Sequence, residues 1–172
     1  MTERPAIEHR IELDNVSDSV DYEVEPNADE RRAIAEWLGL DGLDRLLGAF
    51  TISRVQGGAT VRLNLSAAAK RTCVVSLEPM TENVSETIEI HFLKDFAEFA
   101  DDEEGDERAR EPWPDDALDL AALLVDHLAL SLSPHPRKEG AASLVEAFGR
   151  QSLSSPFDKL RELVDEKSKP AS

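Results

Sequence analysis

The chain offers few side chains that could carry chemistry. It has one cysteine and four histidines in 172 residues. The cysteine lies in Cys73-Val74-Val75-Ser76-Leu77-Glu78-Pro79. One thiol cannot close an internal disulfide. Apolar flanks at Val74, Val75 and Leu77 predict a strand here, with Cys73 as a small buried residue. Glu78-Pro79 would then turn the chain out of the sheet. His9 and His127 both fall on apolar stripes, where a lone histidine reads as a core-edge residue rather than a ligand or base. Gly57-Gly58 is too short and isolated to cradle phosphate and reads as a turn.

Carboxylates dominate one stretch. Between Asp95 and Asp116 lie Asp101, Asp102, Glu103, Glu104, Asp106 and Glu107, opposed by Arg108 and Arg110. Paired carboxylates can do acid/base work or bind Ca²⁺. This spacing lacks the alternating oxygen ligands around a fixed glycine that a Ca²⁺ loop needs. A solvated loop over about 95–116 is expected, with docking of a basic partner on Asp101, Asp102, Glu103 and Glu104 as the functional option. Trp113, between two prolines, would re-anchor the chain.

The elements that position these residues read as α+β. Ile7, His9, Ile11 and Leu13 alternate with charged residues as in a half-buried strand. Val20, Tyr22 and Val24 repeat the pattern up to Pro26. Asn27 and Glu30 form a capping-box signature ahead of a helix with Ala33, Ile34, Trp37 and Leu38 on one stripe, stopped by Gly39. Leu43, Leu46 and Leu47 suggest a short second helical turn over 41–48. Phe50–Val55 and Thr60–Ala68 flank Gln56-Gly57-Gly58-Ala59 as a hairpin. Residues 70–77 continue β-like, 78–83 connect, and Val84, Ile88, Ile90 and Phe92 line one face of the next strand, with Glu86 on the same side. The centre is therefore expected to be an antiparallel meander within a twisted sheet. A helix from Asp116 to Leu132 carries Leu120, Leu123, Leu124, His127 and Leu128. Residues 1–133 read as a single domain. Residues 134–172 read as a linker and a short amphipathic helix that starts at Ser155-Pro156-Phe157-Asp158 and bears Phe157 and Leu160. That helix either docks on the same domain or meets a partner groove.

The totals narrow the function. A chain of this size buries roughly 70% of its unfolded surface and needs no staples. No run approaches the ~18 apolar residues of a membrane helix, and the N-terminus lacks the apolar core of a signal peptide. With the single thiol, this predicts a cytoplasmic protein without membrane contact. The formal net charge of −17 repels phosphate backbones and disfavours direct nucleic-acid binding. Basic proteins are the complementary partners.

Four phrases in order resemble the YceD family, the large ribosomal RNA subunit accumulation proteins. They are Cys73 to Pro79 with the strand through Ile88, Ile90 and Phe92; the acidic insertion; Asp119-Leu120 leading a helix to Leu132, with Pro134-His135-Pro136 behind it; and Ser155-Pro156-Phe157-Asp158-Lys159-Leu160. The resemblance spans about residues 45–165. It implies a factor supporting accumulation or processing of large-subunit ribosomal RNA, partnered with ribosomal proteins or the large-subunit precursor. It assigns no catalytic residue. Many members have Cys-x-x-Cys where this chain has Cys73 and Ser76, so the two-thiolate pair that could hold zinc or cycle redox is missing. Cys73, Leu77, Glu78 and Pro79 are thus expected to be structural, with no metal and no cofactor. No P-loop, nucleophile elbow or dinucleotide fingerprint is present, so a non-enzymatic role is expected. An acidic adaptor domain unrelated to ribosomes is the alternative.

Overall fold

The computed structural model describes residue 5 and residues 7–94, 109–115 and 117–141. Its centre is a five-stranded sheet: β2 (Ser19–Val24), β3 (Gly42–Val55), β4 (Gly58–Thr72), β5 (Pro79–Leu93) and β6 (Ala109–Pro112), neighbours in that order. The first four pair antiparallel in sequence order, and β6 joins β5 in parallel. A smaller ladder joins β1 (Arg10–Ile11) to β7 (Leu118–Asp119). The helices are α1 (Ala28–Leu38) and α2 (Leu120–Ser131). The architecture is the expected α+β one, with a parallel edge strand added.

One face of the sheet forms the core. On β4, Val61, Leu63, Leu65, Ala67 and Ala69 are buried, while Arg62, Asn64 and Lys70 are exposed. The same period continues across the register: Phe50 and Ile88 flank Leu63, and Ile52 and Ile90 flank Val61. Leu120, Leu124 and Leu128 of α2 are fully buried in this core. Each apolar side chain taken out of water in this way contributes roughly 1.5–3 kcal/mol.

The helix signals at α1 act as the sequence predicts. Asn27 accepts from the backbone N–H groups of Asp29 and Glu30, and Glu30 accepts from the N–H of Asn27. Gly39 ends the helix at φ +67°. The α2 cap falls at Asp119 rather than at Asp116. Asp119 accepts from Ala121 and Ala122, and also from the backbone N–H of His9. Leu118 and Asp119 pair with Ile11 and Arg10, which holds them extended and delays the helix.

Other expectations need correction. Residues 41–48 are not helical: Gly42 to Gly48 is the first half of β3. Leu43 pairs with Ala69 and Arg45 with Ala68, so Asp44 is an extra residue in a bulge. The bulge resets the alternation and turns both Leu43 and Leu46 inward, giving three-residue spacing inside a strand. Strand β5 begins at Pro79, not after Asn83, and the first predicted strand shrinks to Arg10–Ile11 followed by a 3-10 turn at Leu13–Asn15. The hairpin loop is Gln56-Gly57 alone, since Val55 already pairs with Gly58.

Part of the expected acidic loop is a strand, because Ala109–Pro112 is β6. Trp113 re-anchors the chain as expected. Its backbone N–H reaches the Leu93 carbonyl, and its ring lies under Lys94 at 4.6 Å and Arg54 at 5.1 Å. Both cations also reach Asp14, whose carboxyl is held below its usual range, chiefly by its bond to Lys94. Asp101, Asp102, Glu103 and Glu104 lie outside the described residues, as do Phe157 and Leu160.

Candidate functional site

Strand β4 ends at Thr72 because the next six residues fold into a tight loop rather than a strand. The Cys73 N–H donates to the Glu78 carbonyl, and the Leu77 N–H donates to the Cys73 carbonyl. Leu77 sits at φ +58°, the left-handed region that side chains disfavour. The loop conformation turns Val74 and Leu77 outward, 48% and 66% exposed, and Cys73 inward at 0%. The expected burial of Cys73 is present; the expected strand around it is not. Pro79 is the first residue of β5, opposite Thr72, where its missing N–H leaves a strand intact.

The sulfur is enclosed by donors. Backbone N–H groups of Val75 and Ser76 point at Sγ from 3.4 Å, and that of Lys138 from 3.3 Å. The thiol's pKa is lowered from 9.0 to about 6. The Lys138 N–H is the largest cause, and the Ser76 hydroxyl and N–H follow. The Ser76 Oγ is shielded from water and lies near the sulfur, short of full hydrogen-bonding geometry. Burial opposes ionisation here but loses to the donors.

Lys138 belongs to the segment that leaves α2, so the loop joins distant parts of the chain. The Val74 N–H donates to the Pro136 carbonyl, and Lys138 Nζ meets Glu78 Oε2 at 2.8 Å. That pairing lowers the pKa of Glu78 and raises that of Lys138. Next to it, Arg71 Nη1 bonds Glu82 Oε2 at 2.7 Å and the Ser133 carbonyl at 2.6 Å, while the Ser133 N–H donates to Glu82 Oε1 at 2.8 Å. Both charged side chains are largely shielded, 18% and 16% exposed. Ions this dry persist only with their hydrogen bonds satisfied. The linker expected to begin at 134 is therefore packed onto the sheet domain through Lys138.

The structure brings Cys73, Leu77 and Glu78 into this one loop, with Pro79 at the start of β5 behind it. It adds Arg71, Glu82, Ser133 and Lys138, which sequence reasoning did not select, and Pro136, which it named only in the phrase behind the second helix. A carboxylate at Glu82, on the inward side of a strand with Val84, Ile88 and Ile90, was the available signal. The backbone donors leave no trace in residue type.

The arrangement can hold a thiolate, but Cys73 is sealed from solvent. Among the described residues, no group of three or more His, Cys, Asp or Glu side chains could hold a metal ion. His127 lies apart, on an open groove of about 350 Å³ between α2 and β5–β6, lined by Phe92, Leu118 and Leu123. Burial lowers its pKa, against the charges of Asp126, Glu86 and Glu111. His9 packs edge-on to Tyr22 at 5.9 Å. No described helix is long and apolar enough to cross a membrane.

An α+β domain with one open sheet face, and with its thiol sealed in a loop that ties two distant segments of the chain, is the class that fold and site define. Residues 61–167 match the model of the family described as Large ribosomal RNA subunit accumulation protein YceD, and the chain belongs to that family. The match begins within β4 and takes in the Cys73 loop, β5 and α2. No curated protein and no solved structure matches the chain.

Proposed function

We propose that this protein is a non-enzymatic assembly factor that supports accumulation or processing of large-subunit ribosomal RNA, and that it does so by contacting basic ribosomal proteins. Family membership carries the first half of this reading. The charge of −17 supports the second half, because phosphate backbones repel such a surface and lysine-rich ribosomal proteins are drawn to it. The sealed thiol serves architecture: it binds the α2 exit to the β4–β5 turn and keeps the sheet in shape for docking.

The test is purification of the tagged full-length protein in mild salt, with RNA and protein both identified. Recovery of large-subunit proteins, with large-subunit RNA reduced in a deletion strain, is the expected result. Tight binding to ribosomal RNA fragments with a steep salt dependence, and none to ribosomal proteins, would overturn the charge argument.

A further inference from the structure

Strand β5 has a long edge that nothing described covers. It pairs with β4 along its whole length without a bulge, but with β6 only over Ile90–Leu93. The bonds at both ends show which backbone groups face outward. The Cys73 N–H bonds the Glu78 carbonyl, and the Lys94 N–H bonds the Gly57 carbonyl; both pairs continue the β4–β5 register. Even-numbered β5 residues therefore spend their N–H and C=O on β4. Odd-numbered residues point theirs away, as the Leu93 carbonyl does in accepting from Trp113. Among the described residues, the outward N–H and C=O groups of Thr81, Asn83, Ser85 and Thr87 meet no strand, whereas the Glu89 carbonyl already lies in the β6 ladder at Ala109. The side chains of these four residues are exposed.

Natural edges are blunted by lysine, proline or bulges. This one has Pro79 at its start and none of the three between Met80 and Glu89. No lysine or arginine lies anywhere in β5; Glu82 and Glu89 are already paired with Arg71 and Arg62, and Glu86 accepts from the Ser131 hydroxyl. A second copy would bring together two molecules of charge −17. A positively charged strand meets no such penalty.

We propose that the β5 edge from Thr81 to Thr87 accepts an extended, lysine- and arginine-rich segment of a large-subunit ribosomal protein as an added strand. This deepens the function proposed above and rests on it. Main-chain bonds to the outward groups supply affinity, and Glu86 together with the net charge of −17 selects a basic segment. The edge lies inside the family-matched residues 61–167, whereas the opposite edge strand, β2, lies outside them.

The test uses the full-length protein and individually purified basic large-subunit ribosomal proteins. Ser85→Pro removes one outward N–H and leaves the β4 ladder whole; Ser85→Ala keeps that N–H. Wild type and Ser85→Ala are expected to bind the same ribosomal protein, and Ser85→Pro to bind it about tenfold more weakly. Equal binding by Ser85→Pro overturns the edge assignment and leaves the assembly-factor reading standing. Binding of no ribosomal protein by wild type overturns both. Amide exchange on the wild type is independent of whether the proline variant folds. Thr81, Asn83, Ser85 and Thr87 amides should exchange fast in the free protein and slow in the complex. Slow exchange in the free protein would mean that residues 142–172 or a second copy already fill the edge, and would overturn the proposal.

Discussion

The backbone N–H of Lys138 points at the sulfur of Cys73 from 3.3 Å, across 65 positions of sequence. Two segments that share no secondary structure are joined there by a thiolate in place of a ladder. Since a charged acceptor strengthens each such bond, this part of the link, beside the Val74–Pro136 and Lys138–Glu78 bonds, depends on the protonation state of one side chain.

Cys73 should therefore titrate near pH 6, against an ordinary value of 9.0. Thiolate absorbance at 240 nm in the native protein measures it directly. The unfolded chain holds the proton up to its higher pKa, so the unfolded state binds more protons between about 6 and 9. Stability from this group rises with pH over that window, is complete above it, and is lost as pH falls through the folded value. The difference in Tm between wild type and Cys73→Ala should widen from pH 6 to pH 8.5. A constant difference would mean that the sulfur stays protonated.

Leu77 occupies a left-handed backbone position with its side chain in water. Strain of about 1–2 kcal/mol at such a residue outweighs the extra unfolded-state entropy of glycine, roughly 0.5–1 kcal/mol. Leu77→Gly should raise stability by about 0.5 kcal/mol, read from the urea midpoint at unchanged slope. A lower midpoint would show that the loop is held by the Leu77 side chain.

Much of this frame can be read from residue types. Asn27 and Glu30 announce α1, Gly39 ends it, and the alternation of Val61, Leu63 and Leu65 gives a half-buried strand its correct face. Three features resist such reading. The inserted Asp44 makes a strand imitate helical spacing at Leu43 and Leu46. The pairing of Leu118 and Asp119 with β1 delays a helix whose own pattern starts earlier. The donors around Cys73 are backbone groups, which every residue but proline carries. Each depends on contacts between segments far apart in sequence, which local pattern does not encode.

Arg71 and Glu82 bind the β4–β5 ladder to Ser133 at the end of α2. Removing one ion leaves the other half-buried beside an unsatisfied backbone group. Glu82→Ala should cost about 2 kcal/mol, and Arg71→Ala a similar amount. The double mutant should lose less than the sum by about 1 kcal/mol or more. Chemical denaturation of the four proteins measures this cycle. Additive losses would mean that the pair is not coupled in solution.

Two glycines separate a backbone constraint from a packing one. A Cβ at Gly58 would collide with the Phe92 carbonyl on β5, where only main-chain movement makes room. A Cβ at Gly48 would lie 2.8 Å from Leu124 Cδ1 and 2.9 Å from the Phe50 ring, side-chain atoms that can shift by small rotations. Gly58→Ala should therefore cost about 3 kcal/mol or more, and Gly48→Ala about 1–2 kcal/mol. The two should also differ in kind. Gly58→Ala opens the β4–β5 ladder at the hairpin end and speeds amide exchange at Phe92 and Lys94. Gly48→Ala leaves those amides protected and perturbs the methyl signals of Leu124. Equal losses of stability with unchanged exchange at Phe92 would show that β4 and β5 approach less closely there than the register requires.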